Sequence, residues 1–237
     1  MSLLHVNYFS QALGKQSAMF VTVPDGEPPF RVVYLLHGHS DDYTIWQRRT
    51  SIERYADEHK VMVAMLDGAR SFYTDARDGA FRYEQHVLES VRFVDSTFRT
   101  RPEAGARCIE GLSMGGYGAM KLGLKHPDLF GAIVSHSGVL DLGASLSEKS
   151  SPEMQLIFGQ KLAPDEDCFA LAARGQDMPA IRFDCGVDDF LIEHNRRFHA
   201  HLDSLDIAHE YEELPGAHTW DFWDRQVQEG LAFFDRS

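Results

Sequence analysis

The segment Gly111-Leu112-Ser113-Met114-Gly115 constrains this chain more than any other. Arg107-Cys108-Ile109-Glu110 before it reads as a short buried strand, and residues 117–124 after it read as a helix. A chain that turns directly from strand to helix has room only for small residues beside the apex. The apex hydroxyl then projects above the end of a sheet. A bare Gly-x-Ser-x-Gly recurs by chance, and the bland alternative is a glycine-rich helix start holding an inert serine. The rest of the pattern supports the turn. Residues 31–36, 61–66, 132–135, 181–185 and 210–214 read as strands, and 45–60, 85–98 and 220–234 as helices. Such alternation predicts an α/β fold, a mostly parallel sheet with helices on both faces. Residues 143–174 have no clear period and are expected to form an insertion over one sheet edge, within a single domain spanning residues 1–237.

Composition narrows the partners. Lysine and arginine number 23 against 36 aspartates and glutamates, a net charge of −13. That charge repels phosphate backbones and anionic lipid, so neither nucleic acid nor membrane is an expected partner. No run approaches the ~20 apolar residues of a membrane span, and Met1–Tyr8 resembles no signal peptide. Three scattered cysteines, Cys108, Cys168 and Cys185, argue against a disulfide framework or structural zinc, and a cytoplasmic setting is expected.

A serine hydroxyl needs an adjacent base to become a nucleophile. With this turn the partners follow downstream in the order acid, then histidine. Of twelve histidines, His126, His194, His199, His201 and His209 fall in or beside helical or strand patterns. His218 instead follows Pro215-Gly216-Ala217, in the loop after the last strand and before the last helix. Catalytic groups collect at that end of an open α/β sheet, so His218 is the expected base. The acid should come from Cys185-Gly186-Val187-Asp188-Asp189-Phe190. Adjacent side chains diverge, so one aspartate holds the imidazole and the other caps the helix starting near Leu191. Pattern alone does not choose between them; Asp189 is favoured.

His37-Gly38-His39-Ser40 follows the 31–36 strand. Backbone N–H groups of His39 and of Met114 are the expected oxyanion donors. His37 and His39 could also be read as a metal pair, but no third ligand lies at a convincing spacing, so no metal and no organic cofactor is expected. Trp46, Phe72, Tyr73, Phe190 and Trp220 are expected to ring a small acyl pocket, although core burial is the ordinary fate of aromatics.

Together these segments resemble the putative-esterase branch of the α/β-hydrolases, which includes S-formylglutathione hydrolase (esterase D) and the antigen 85 acyltransferases. The similarity is greatest to small bacterial tributyrin esterases. It runs from His5-Val6-Asn7-Tyr8-Phe9-Ser10 through Leu35-Leu36-His37-Gly38 and Phe72-Tyr73-Thr74-Asp75. It continues through the serine turn and Ser135-His136-Ser137-Gly138, and closes at Cys185–Leu191 and Gly216-Ala217-His218-Thr219-Trp220. The chain departs from some members at Ser40-Asp41-Asp42, where they carry a second glycine. The resemblance implies an α/β-hydrolase fold and a serine carboxylesterase acting on small acyl esters, with Ser113, Asp189 and His218 as its triad. It also implies self-association, for which an edge strand offers a place. Thioester hydrolysis, carbohydrate-ester hydrolysis and a non-catalytic scaffold are the alternatives.

Overall fold

The computed structural model describes residues 1–148, 151–175 and 178–237. The eight strands among them are β1 (Ser2–Ser10), β2 (Lys15–Val23), β3 (Arg31–Leu36), β4 (Val61–Leu66), β5 (Arg107–Leu112), β6 (Ala132–His136), β7 (Ala180–Gly186) and β8 (Glu210–Leu214). They form one sheet in the order β1-β2-β4-β3-β5-β6-β7-β8. The pairs β1–β2 and β2–β4 are antiparallel and the remaining pairs parallel. The helices are α1 (Ile45–Arg49), α2 (Ile52–Glu58), α3 (Tyr83–Thr97), α4 (Met114–Lys125), α5 (Leu142–Glu148), α6 (Pro152–Phe158), α7 (Cys168–Ala172), α8 (Ile192–Ser204) and α9 (Trp220–Arg236).

Side chains alternate across a strand, and β3 shows what that does here. Val32, Tyr34 and Leu36 join the core on the α3, α4 and α8 side, while Val33 and Leu35 join the one under α1, α2 and α9. Both faces are therefore apolar, which is why the central strands read as continuous hydrophobic runs. No helix among the described residues is long and apolar enough to cross a membrane.

Three differences from the sequence reading have local causes. The helix expected over 45–60 is broken in two. The Thr50 hydroxyl donates to Trp46 O at 2.6 Å and accepts the Ile52 N–H at 3.2 Å, a side-chain competition that ends α1. The β1–β2 hairpin was not foreseen: its outer strand is half-exposed and alternates polar with apolar residues. Residues 143–174 contain α5, α6 and α7, apart from Lys149 and Ser150, which lie outside the described residues. They pack over α4 and the Phe72 turn, where Phe158 meets Phe72 and Tyr117.

Strand order turns back on itself at β3. From there the chain runs one way to β4 and, later, the other way to β5, leaving a crevice above the carboxyl ends of β3 and β5. The turn after β5 carries Ser113.

Candidate active site

Ser113 sits between the last residue of β5 and the first of α4 with φ 55° and ψ −114°, in the left-handed half of the map that a side chain enters only under strain. Its N–H donates to His136 O at 2.9 Å, pinning the turn to β6. The flanking glycines are sterically required. A Cβ on Gly115 would stand 2.5 Å from Leu36 O, and one on Gly111 would stand 2.5 Å from Gly115 O. Ser113 remains partly exposed in an otherwise buried turn.

The loops after β7 and β8 are stitched together by Asp188 N–H, which donates to Gly216 O at 2.9 Å. They bring Asp189 and His218 to the serine. His218 Nδ1 lies 2.8 Å from Asp189 Oδ2, and His218 Nε2 lies 2.9 Å from Ser113 Oγ. A carboxylate only accepts, so the proton sits on Nδ1 and leaves Nε2 to accept the serine hydroxyl. Asp189 is 2% exposed. Burial pushes its carboxyl pKa up, but hydrogen bonds from His218, the Leu191 N–H and Ser137 outweigh it and hold the group below its ordinary range. The choice between adjacent aspartates thus falls on Asp189 as the partner of His218. The expected division of labour does not hold, however. Asp189 Oδ1 itself takes the Leu191 N–H at 2.8 Å, and exposed Asp188 does not cap α8.

Met114 opens α4, so its N–H has no intrahelical acceptor. The second expected donor lies in the loop after β3. A Cβ on Gly38 would be 3.8 Å from Ser113 Cβ, so this loop runs alongside the serine. His37 fixes the loop: its Nε2 accepts the Gly68 N–H at 2.9 Å and its Nδ1–H donates to Gly38 O at 2.7 Å. His39 turns its ring to Phe72, centroids 5.6 Å apart, and its Nε2 lies 3.3 Å from Glu153 on α6.

The five aromatics expected around the pocket divide. Phe190 is 75% exposed, with its ring 4.6 Å from that of His218. Phe72 shows a small surface beside His39, and half-buried Trp220 packs edge-on against Trp223. Trp46 and Tyr73 have no exposed surface. Trp46 donates to Leu36 O at 3.1 Å and Tyr73 to His37 O at 3.0 Å, so both prop the β3 loop from beneath. Two residues not singled out in the sequence hold the arrangement together. Trp223 packs edge-on against His218, and Ser137 accepts the Trp223 indole N–H and helps hold the Asp189 pKa down. The one available signal for Trp223 was its place three residues after Trp220, on the same helix face. A cavity of about 330 Å³ opens next to the Phe72 turn, between Arg70, Phe81, Glu153 and Leu156, and Ser113, Asp189 and His218 do not line it.

A mostly parallel sheet, a reversal of strand order and a strained serine at the reversal define an α/β-hydrolase. The sequence agrees: residues 10–234 match the family model described as "Putative esterase", and the chain belongs to that family. It is 28% identical to an acetyl esterase of Caldicellulosiruptor saccharolyticus, across 100% of this chain and 99% of that protein. Among solved structures it resembles the substrate-bound fluorophosphonate-binding serine hydrolase F of Staphylococcus aureus, with TM-score 0.92 and 28% identity over 100% of this chain and 99% of that one. It also resembles the S-formylglutathione hydrolase of the same organism, with TM-score 0.88 and 28% identity over 99% of this chain and 100% of that one. The protein is a carboxylic ester hydrolase.

Proposed function

We propose that this enzyme cleaves short-chain acyl esters through an acyl-enzyme intermediate, with Ser113 as nucleophile, His218 as general base and acid, and Asp189 holding the imidazole. The observation that carries this reading is the continuous chain Ser113 Oγ–His218 Nε2 and His218 Nδ1–Asp189 Oδ2, at 2.9 and 2.8 Å. Ser113 Oγ bonds to the acyl carbon while its proton passes to His218 Nε2. The Met114 and His39 N–H groups take the developing oxyanion. The bond from acyl carbon to alcohol oxygen then breaks, and the alcohol leaves with the proton from His218. Water repeats the sequence, releasing the acid and restoring Ser113. Phe190, beside His218, and Phe72, beside His39, offer short apolar walls, and the similarity to an acetyl esterase favours small acyl groups.

We take residues 1–237 as a single hydrolase domain. The outer edge of β1, which among the described residues pairs only with β2, is the proposed surface for self-association. The three buried free cysteines suit a cytoplasmic setting. A second reading, S-acyl-glutathione thioester cleavage by the same residues, draws support from the likeness to the staphylococcal S-formylglutathione hydrolase.

The test compares p-nitrophenyl esters from acetate to decanoate, with S-formylglutathione alongside, for wild type and Ser113→Ala. Turnover should be highest on the shortest chains and fall by at least ~10⁴-fold in the variant. Wild-type turnover by a folded Ser113→Ala would overturn the mechanism, and rates climbing with chain length would overturn the acyl preference. Preferred cleavage of the thioester would select the second reading.

A further inference from the structure

At the amino end of β8, away from the triad, His209 closes the loop that leads into the strand. Its side chain is 4% exposed and its ring stacks on Phe183, centroids 5.6 Å apart. Nδ1–H donates to Ile207 O at 2.7 Å, so Nε2 carries a lone pair. That nitrogen faces His199 Nδ1, 2.7 Å away on α8. Asp203, one helical turn beyond His199, brings Oδ2 to 3.5 Å from His199 Nε2 and Oδ1 to 3.9 Å from His209 Nε2. One ligand atom from each of the three residues lies within 4.8 Å of the others.

Two features set this group apart from a chance surface cluster. A histidine whose far N–H is tied to a backbone carbonyl has its tautomer and ring orientation fixed, as metal-ligating histidines almost always do. His199 and Asp203 stand at i and i+4, so the helix presents both on one face. Tetrahedral zinc holds its nitrogen and oxygen ligands at about 2.0–2.2 Å, which separates neighbouring donors by roughly 3.3 Å. His199 Nδ1, 2.7 Å from His209 Nε2, lies inside that separation and Asp203 Oδ1, 3.9 Å from the same His209 nitrogen, lies outside it, so an ion would take the place of the proton His199 now shares with His209. Asp203, with a side chain 60% exposed, has room to swing inward.

We propose that His199, Asp203 and His209 bind one borderline divalent ion, Zn²⁺ foremost, with water in the fourth position. Two imidazoles and one carboxylate suit such an ion, whereas Mg²⁺ and Ca²⁺ prefer oxygen ligands. The ion would clip the last turns of α8 to the entry of β8. The five residues of β8, at ~3.3 Å each, separate it from the His218 loop, so it acts on stability and leaves ester hydrolysis alone.

The test is zinc titration of the chelator-stripped full-length protein, by competition with a chromophoric chelator and by thermal melting, with Mg²⁺ in parallel. Wild type should bind one Zn²⁺, and its melting temperature should rise by roughly 5–10 °C at ~100-fold excess over Kd. His209→Gln and the exposed Asp203→Asn should each weaken binding by about tenfold or more, and Asp203→Asn cannot fail merely by unfolding the core. Ester turnover should be equal with and without the ion. Absence of binding at about 100 μM Zn²⁺, or wild-type affinity in both variants, would overturn the site and leave His199–His209 a simple hydrogen bond.

Discussion

Trp223 stands perpendicular to His218, ring centroids 4.8 Å apart and planes at 90°, while its indole N–H donates to Ser137 Oγ at 3.2 Å. The Ser137 hydroxyl also helps hold the Asp189 pKa down. One side chain of α9 therefore buttresses the imidazole directly and fixes a hydroxyl that favours its carboxylate partner in the charged form. The edge-on geometry restricts the ring without competing for either nitrogen, which leaves both for Asp189 and Ser113.

Trp223→Phe keeps an aromatic edge against His218 but deletes the donor to Ser137. Losing one buried hydrogen bond is worth ~1 kcal/mol, or about fivefold. The expected outcome is a kcat lower by roughly three- to tenfold with KM nearly unchanged, because the residue positions the base and does not touch the acyl group. Steady-state kinetics on a short-chain ester checks this. A change confined to KM would instead make Trp223 a wall of the substrate pocket.

Lys121 gives the second prediction. It lies on α4 with no exposed surface, and its ammonium reaches Tyr73 O, Thr74 Oγ1, Glu84 Oε2 and Glu166 Oε2 at 2.8–3.1 Å. One cation thus joins the Phe72 turn, α3 and the segment before α7. Burial works to raise the Glu84 pKa, yet His126, Lys121 and Lys125 together hold it well below the carboxylate range. Lys121→Met removes the centre of this network and leaves Glu84 and Glu166 to Lys125 at its rim, and breaking such a buried pair typically costs about 3–5 kcal/mol. Melting should fall by roughly 10 °C, and adding Glu84→Gln should recover part of the loss. A single variant as stable as wild type would show that the network contributes nothing net.

The convergence of Ser113, His218 and Asp189 was legible because each is tied to a backbone event with its own signature: two glycines that cannot carry a Cβ, a glycine-led loop after β7, and Pro215-Gly216 after β8. The central strands were legible because burial on both faces leaves no polar alternation to misread. What escaped depends on contacts distant in sequence. Trp46 and Tyr73 both reach the loop after β3 from far along the chain or from another element, and only the paths of β3 and of the 68–73 turn decide that they point down into the core. The division between Asp188 and Asp189 misled in a similar way, since one carboxylate has two oxygens and Asp189 uses them for both tasks. The outer strand β1 carries the polar, half-exposed pattern of an edge, the weakest strand signal in a chain.

His136, which accepts the Ser113 N–H through its carbonyl, carries a wholly buried imidazole between two acids. Nδ1 lies 2.9 Å from Asp184 Oδ2, and Nε2 lies 2.9 Å from Glu110 Oε1. Burial pulls its pKa down, but the Asp184 and Glu110 carboxylates more than reverse this and hold it at about 9. An unfolded histidine titrates near 6.5, so the folded state binds this proton more tightly. The stabilisation is therefore fully present below about pH 6.5 and is lost as pH rises through about 9. The difference corresponds to about 3 kcal/mol, enough to lower the melting temperature by roughly 10 °C across that window. Glu110→Gln withdraws one of the two carboxylates and should move the fall to lower pH. Melting curves from pH 6 to 10 on both proteins decide the matter: a flat wild-type profile, or an identical one in the variant, would mean that His136 carries no proton of consequence to the fold.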